Sequence, residues 1–418
     1  MKRKNHWVIF AILLLALINL SPSNTATPPS SDRTGEFEPA QPKVLETEQE
    51  PKSFKVAVQM SESEFSRLQQ MNSKISEELN MDVELTNFPY DSDYTSVQNE
   101  LRLGEAPDVL LLNNIWVRRF AAEGYLSPTE SYYSGSLTGE LLTASLAPGE
   151  WNGYMWSVPM DADTYVWMIQ KDRVQEAGLS LPKNADDWMQ LISTYEEKQG
   201  IPYLFAFDFS DPYAVLSLLW QLSGNGEDDK SGGAFLPDEA RERAVLSIEG
   251  IRHLLLNLEG TELKELSSSL NEGKAMFALV RWSEVAGRMD AGTDIIYPNL
   301  DDPAAGWMWI DGRSYVVSAQ SANKDAAGQW IAAMTDQFEQ RQWYEGTGKL
   351  PVLKTIYYQS TRGGLPAWIP ASFVNNSGVI PADTGFPEWL QKFSEIAALF
   401  LADQMDVHTF LMEWKADL

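Results

Sequence analysis

The segment from Phe54 to Leu112 constrains this chain more than any other, because it sets two structural periods in strict alternation. Phe54-Lys-Val-Ala-Val-Gln-Met60 alternates as a strand does, and Ser61-Glu-Ser-Glu64 is a capping box that starts a helix running to about Leu79. Asp82–Phe88 reads as the next strand, and a helix from about Asp93 to Leu103 stops at Gly104. Pro107-Asp-Val-Leu-Leu-Leu112 is then a continuous apolar run, the pattern of a strand buried on both faces. Such β-α-β-α-β order predicts an α/β fold with a parallel, doubly wound sheet. Ligands of these sheets bind beyond the carboxyl ends of the strands, here near Gln59-Met60, Phe88–Tyr90 and Asn113-Asn114.

A second stretch is odd for a strand. Trp151-Asn-Gly-Tyr-Met-Trp-Ser-Val-Pro-Met-Asp-Ala-Asp-Thr-Tyr-Val-Trp-Met-Ile-Gln-Lys171 opens on Asn152-Gly153, which suits a type I′ hairpin turn. It ends in an apolar strand-like run, Tyr165 to Ile169. Between them Asp161 and Asp163 are too polar for a core strand, so the sequence predicts backbone interrupted at a ligand site.

The N-terminus carries a basic start, Met1-Lys-Arg-Lys4, then 14 residues from Trp7 to Leu20 that are apolar except for Asn19. Residues 1–20 therefore read as a secretory signal or N-terminal anchor, too short to span a bilayer comfortably. The chain has no Cys, which excludes a lipid-anchoring Cys, disulfides and thiolate metal sites. Asn24-Thr-Ala26 matches a cleavage site poorly, so a cleaved leader and a retained tether both stay open. Residues 21–52, rich in Pro, Ser, Thr and Glu, read as a disordered linker. The net charge of −27 argues against nucleic acid as a partner, though it does not by itself imply a cationic ligand.

Several segments, taken in order, resemble extracellular solute-binding proteins of the maltose-binding, carbohydrate type, which feed ABC importers. They are Leu103-Gly-Glu-Ala-Pro-Asp-Val through Phe120-Ala-Ala-Glu-Gly-Tyr-Leu-Ser-Pro128, and the Trp151–Lys171 stretch continuing to Pro182. Further along come Leu270-Asn-Glu-Gly-Lys-Ala-Met-Phe-Ala-Leu-Val-Arg-Trp282, Ser321-Ala-Asn-Lys-Asp-Ala-Ala-Gly-Gln-Trp330 and Tyr344-Glu-Gly-Thr-Gly-Lys-Leu-Pro-Val-Leu-Lys354. The chain departs from the family pattern at the missing lipid-anchoring Cys, at Met168-Ile-Gln-Lys171, and at Trp307-Met-Trp-Ile-Asp-Gly-Arg313.

The resemblance implies a two-lobed periplasmic-binding-protein-like fold of the class II type, with crossings near Gly153–Pro159, Tyr297–Pro303 and Val317–Asn323. Lobe 1 would be residues 53–155 plus 300–320, and lobe 2 residues 156–299 plus 321–418. It implies a monomer that captures an oligosaccharide by hinge closure and presents it to the transmembrane subunits of an ABC permease. It implies no cofactor and no catalysis. The periodicity of the second half agrees, with helices over 212–222, 237–258, 324–334, 337–344, 387–401 and 407–415, and strands over 275–280 and 293–297.

Sugars are held by flat aromatic rings and by planar polar groups, and the chain has 15 Trp and 15 Tyr, although Trp also fills cores. The resemblance places Trp282 on a loop facing the cleft and favours Asp163 as a ligand contact. Asp161 and Asp163 either accept ligand hydroxyls or brace the crossing. Asn113, Asn114 and Trp116 follow a buried strand. Asp211 and Tyr213 start a helix, where Asp is equally the N-cap before Pro212. Trp307 and Trp309 share a face, either of the cleft or of the core. Arg362 is a loop donor. Glu227 to Asp238 resembles a calcium loop loosely, with poor residues at its first and last positions, and reads as a polar surface turn.

Enzyme patterns are weak. Besides His6, only His253 and His408 occur, both on helix patterns, and no phosphate loop, Gly-x-Ser-x-Gly or Gly-x-Gly-x-x-Gly is present. Paired carboxylates of a glycosidase remain an alternative, as does a membrane-tethered sensor that serves no importer.

Overall fold

The computed structural model describes residues 52–88, 94–103, 106–133, 135, 139–196, 202–223, 238–261, 263–289, 292–302, 305–359, 365–375, 380–381 and 383–415. The strands are β1 (Lys52–Gln59), β2 (Met81–Phe88), β3 (Val109–Asn113), β4 (Glu150–Trp151), β5 (Tyr154–Met155), β6 (Val158–Gln170), β7 (Tyr203–Phe207), β8 (Leu255–Asn257), β9 (Ala275–Arg281), β10 (Thr293–Ile296) and β11 (Ile310–Val317). The path through the sheets runs β2-β1-β3-β11-β6-β9-β7-β8, with β10 paired to β6.

The first half of that path follows the alternation in the sequence. β1 is parallel to both β2 and β3, with Glu62–Leu79 and Tyr94–Leu103 as the intervening helices. Ser61 and Glu64 form the reciprocal capping box, and Asn80 ends that helix in the left-handed region at φ 49°. β11 closes this sheet, antiparallel to β3 on one side and to β6 on the other. Asn152 and Gly153 take φ values of 50° and 78° in the β4–β5 hairpin, as a type I′ turn requires.

β6 is the member common to both sheets. Val158 to Thr164 pair with β11, and Tyr165 to Ile169 pair with β9. Beyond it β9 and β7 are parallel, as are β7 and β8, so the second sheet again directs its carboxyl ends one way. The fold is α/β and two-lobed, each lobe built on one sheet. Trp167, Trp188, Phe205 and Phe277 interlock at centroid distances of 4.9 to 6.3 Å in the second lobe, while Trp330 meets Phe54 and Tyr315 edge-on in the first.

The structure corrects the sequence reading in several places. β6 is a single 13-residue strand, buried along its length except at Gln170, and Asp161 and Asp163 do not interrupt it. The passage between sheets consequently falls at Thr164-Tyr165, later than the Gly153–Pro159 crossing, and residues 158–164 stay hydrogen-bonded within the first sheet. Residues 321–418 do not pack as one block. Helices Lys324–Met334 and Gln337–Thr347 pack on Glu62–Leu79, whereas Phe386–Leu401 packs on Pro212–Ser223 of the second lobe. The helix expected over 237–258 ends at Ile251, because Leu255–Asn257 gains a parallel partner in β7 and tertiary pairing outweighs local periodicity.

Candidate functional site

A cleft of about 610 Å³ opens at the ends of β1, β3 and β9 and along the shared stretch of β6 and β11. Topology alone dictates the location, because both parallel sheets turn their carboxyl ends toward it. Its floor is charged. β6 and β11 carry Asp161, Asp163, Asp311 and Arg313 at alternate positions, and their register sets Arg313 opposite Asp161 and Asp311 opposite Asp163. Gly312 lies between them, where a Cβ would come within 2.0 Å of the Asp161 carbonyl oxygen. Only glycine lets the two strands approach this closely.

Each floor charge is neutralised by a partner from elsewhere in the chain. Arg313 donates through its backbone N–H at 3.1 Å and its Nε at 3.1 Å to the Asp161 carboxylate, and through its terminal nitrogen to Glu64 at 2.8 Å. Trp343 Nε1 donates to the same carboxylate at 3.0 Å. Asp163 accepts from Lys349 Nζ at 2.7 Å, from Ser283 Oγ at 2.6 Å, and from the backbone N–H groups of Ser283 and Thr164 at 3.2 and 3.0 Å. Asp161 and Asp163 are each 1% exposed and met by protein donors, which favours the bracing alternative for both.

This bracing also links the lobes. Ser283 follows β9 of the second sheet, and Lys349 follows the Gln337–Thr347 helix, which packs with the first. Asp163 holds both. Arg281, at the end of β9, reaches back to Asp311 on β11 at 3.3 Å and to Asp211 at 3.8 Å, lying over the rings of Tyr165 and Tyr213. Tyr165 donates its hydroxyl to Asp211.

The ionisation of these groups follows from their surroundings. Burial would raise the Asp163 carboxyl, but Lys349 and Arg281 outweigh it and hold it below the usual range. Glu64 behaves the same way, with burial opposed by Arg313 and Lys349. Asp311 is pushed up by burial despite Arg281. Glu284 is exposed at the cleft wall, yet the protein crowding its carboxyl pushes it up, with Arg281 opposing and Asp163 and Asp211 adding.

Of the residues singled out from sequence, Asn113, Trp116, Asp161 and Asp163 line this cleft. Asn113 accepts from the Ile115 N–H at 3.1 Å and so caps the helix it begins, while the Trp116 ring rests edge-on against Tyr94 and Phe120. Asn114 is buried, accepting from Ser314 Oγ at 2.6 Å. Asp211 caps its helix through the Tyr213 N–H at 3.0 Å and lines an adjoining side pocket.

The remaining aromatic candidates pack inside. Trp282 is 4% exposed and edge-on to Trp368 at 5.0 Å, so it belongs to the core and leaves the cleft to its neighbours Arg281, Ser283 and Glu284. Trp309 stacks on Trp220 at 5.9 Å, and Tyr213 leans on Trp309 at 4.7 Å. Trp307 meets Trp220 edge-on at 6.3 Å. Arg362 and residues 227–237 lie outside the described residues. Among the described residues no group of three or more His, Cys, Asp or Glu is placed to hold a metal ion, and no helix is long and apolar enough to cross a membrane.

Sequence reasoning missed Glu64, Arg281, Glu284, Asp311, Arg313 and Lys349. A signal existed, since Asp311 and Arg313 punctuate an apolar strand with the same two-residue period as Asp161 and Asp163.

Comparison with known proteins agrees with this architecture. A family model described as bacterial extracellular solute-binding protein matches residues 70–363. A maltotriose-binding protein of Pyrococcus abyssi is 24% identical over 265 residues, which are 60% of this chain and 56% of that protein, so the match spans little more than half of that relative. The solved structure of a sugar-binding protein from Xanthomonas citri superposes with a TM-score of 0.71 at 16% identity, covering 87% of this chain and 95% of the other. That of the Thermus thermophilus maltotriose-binding protein gives 0.65 at 17%, covering 87% and 99%. At such identities the solved structures share the fold. With its family match running through both sheets and the cleft between them, the chain belongs to the bacterial extracellular solute-binding proteins.

Proposed function

We propose that this protein captures a carbohydrate, an oligosaccharide in preference to a monosaccharide, in the interlobe cleft and delivers it to the permease of an ABC importer. The observation that carries the reading is the position of the cleft, on the one strand that passes between the two sheets and at the carboxyl ends of both. A solute seated there touches both lobes, so closure about the β6 and β11 junction would bury it. Its polar wall suits hydroxyl-rich ligands, and Trp116 supplies a ring for stacking on a sugar face. Two of the relatives are named as maltotriose-binding proteins, which supports the ligand class. The protein binds without transforming its ligand, acts as a monomer, and is exported by its basic-then-apolar N-terminal segment.

Thermal shift and calorimetry over a panel of glycans test the assignment. A cognate glycan at a hundred times its Kd should stabilise the folded chain by about 2.7 kcal/mol. Silence across the panel, with shifts from amino acids, peptides or metal ions instead, overturns the carbohydrate reading. Release of reducing ends from any bound glycan overturns the non-catalytic one.

A further inference from the structure

A second cavity of about 290 Å³ adjoins the main cleft within the second lobe, between the ends of β7 and β9 and the Leu263–Asn271 helix. Arg281, Glu284 and Arg288 line both cavities, so one continuous surface leads from the interlobe floor into this side pocket. Its inner wall is apolar, with Leu258, Leu266 and Leu279, and its rim adds Asp208 and Asp211.

The two cavities differ in how their charges are satisfied. In the main cleft Arg313 is held by Asp161 and Glu64, Lys349 by Asp163, and Arg281 by Asp311 and Asp211. Glu284 and Arg288 are exposed at the shared rim, and among the described residues neither side chain has a hydrogen-bond or ion-pair partner. Among the described residues the Asp208 carboxylate accepts only from Ser210, through its backbone N–H at 2.8 Å and its hydroxyl at 2.7 Å, and makes no ion pair. Seven carboxylates against four cations line the two cavities together, and the whole chain carries a net charge of −27. A wall with unpaired carboxylates and an excess of negative charge attracts a cationic group and repels an anionic one.

Building on the carbohydrate reading above, we propose that the side pocket is a subsite for a ligand end bearing a free amine, with Glu284 as the residue that accepts from the ammonium and selects for it. The ligand class is therefore an amino-bearing saccharide, whose neutral rings lie in the main cleft and whose ammonium group enters between Glu284 and Asp208. Arg288 at the same rim attracts an anionic group, but Glu284, Asp208 and Asp211 outnumber the two arginines of this pocket, so uronate oligomers are disfavoured.

The test compares N-acetylglucosamine oligomers deacetylated at one terminal residue with their fully N-acetylated counterparts, and both with oligogalacturonate, by calorimetry on the full chain. The free-amine oligomer should bind about tenfold more tightly than the acetylated one, a ratio equal to ~1.4 kcal/mol, and the advantage should shrink as salt rises. In Glu284→Gln the ratio between the two should collapse toward one, with unaltered melting of the ligand-free protein showing that the fold is kept. Equal or tighter binding of the acetylated oligomer, preference for oligogalacturonate, or a ratio that survives Glu284→Gln each overturns the amine subsite and leaves the carbohydrate reading in place. Absence of binding by any saccharide in this set and in the wider glycan panel overturns both.

Discussion

The floor of the cleft and its second-lobe rim are both charged, yet they use charge for different purposes. On the floor, Asp161 and Asp163 are buried, and protein donors meet each of them. At the rim, Glu284 and Arg288 are exposed and carry no such partners among the described residues. A buried ion must be compensated within the protein or it destabilises the fold, while an exposed one is compensated by water until a ligand replaces that water. The floor is therefore fastened to the rest of the protein, and the rim leaves its charges free for a ligand of the kind proposed above. Family resemblance favours Asp163 as a ligand contact, whereas its hydrogen bonds to Lys349, Ser283 and Thr164 support the bracing alternative.

Asp163 is where floor and rim should differ most. Removing its carboxylate in Asp163→Ala leaves the Lys349 ammonium, 19% exposed, without its partner and strips the acceptor from Ser283. Loss of one member of a buried pair is expected to destabilise the free protein by ~3–5 kcal/mol. Denaturant unfolding measures this, and a free-protein stability within 1 kcal/mol of wild type, with ligand affinity lost, would restore Asp163 to the role of ligand contact.

Next in size is Gly312→Ala. The added methyl would collide with the backbone of Asp161, an atom that cannot rotate away, so β6 and β11 would have to part. Overpacking of this kind costs ~1–3 kcal/mol, and here the loss should come with faster amide exchange at Ala162 and Leu350, whose backbones hydrogen-bond reciprocally beside it. Unchanged stability and exchange would show that the two strands are not locked together.

Much of the fold was legible because periodicity and caps are local. The β-α-β alternation of residues 54–112, the Asn152-Gly153 turn and the helices after Lys324 all follow from spacing that a few neighbouring residues determine. The cleft floor was not, because its meaning depends on partners far apart in sequence. Asp161 pairs with Arg313, and Asp163 with Lys349, across more than 150 positions. Two carboxylates in a strand read as an interruption until their cations are placed opposite them. The aromatic residues failed for a related reason. Trp282 and Trp309 have the composition of a sugar platform, but which side of a strand end a ring occupies is set by core packing, and Trp368 and Trp220 claim them.

Acid should separate the carboxylates of the cleft by sign, with both signs present on the floor. Glu64 and Asp163 have folded-state values below the ordinary carboxylate range, so their contribution is present above about pH 4, the unfolded value, and is lost as pH falls through the folded one. Glu284 and Asp311 are raised, so they stabilise the fold below that unfolded value and lose this contribution as pH climbs through their folded values. Unfolding free energy measured from pH 2 to 7 should show an acid limb that is shallower in Glu64→Gln than in wild type. An identical limb would mean that the floor network does not titrate with folding.

The smallest expected effect is the most informative about the rim. Glu284→Gln and Arg288→Gln each remove a charge that holds no protein group, so each should shift the stability of the ligand-free chain by no more than about 0.5 kcal/mol. Their effects should also add, because neither side chain contacts the other within ion-pair distance. A loss above 1 kcal/mol in either, or strong coupling between them, would move the rim into the same class as the floor, and its charges would then be part of the joint instead of a surface kept open for the ligand.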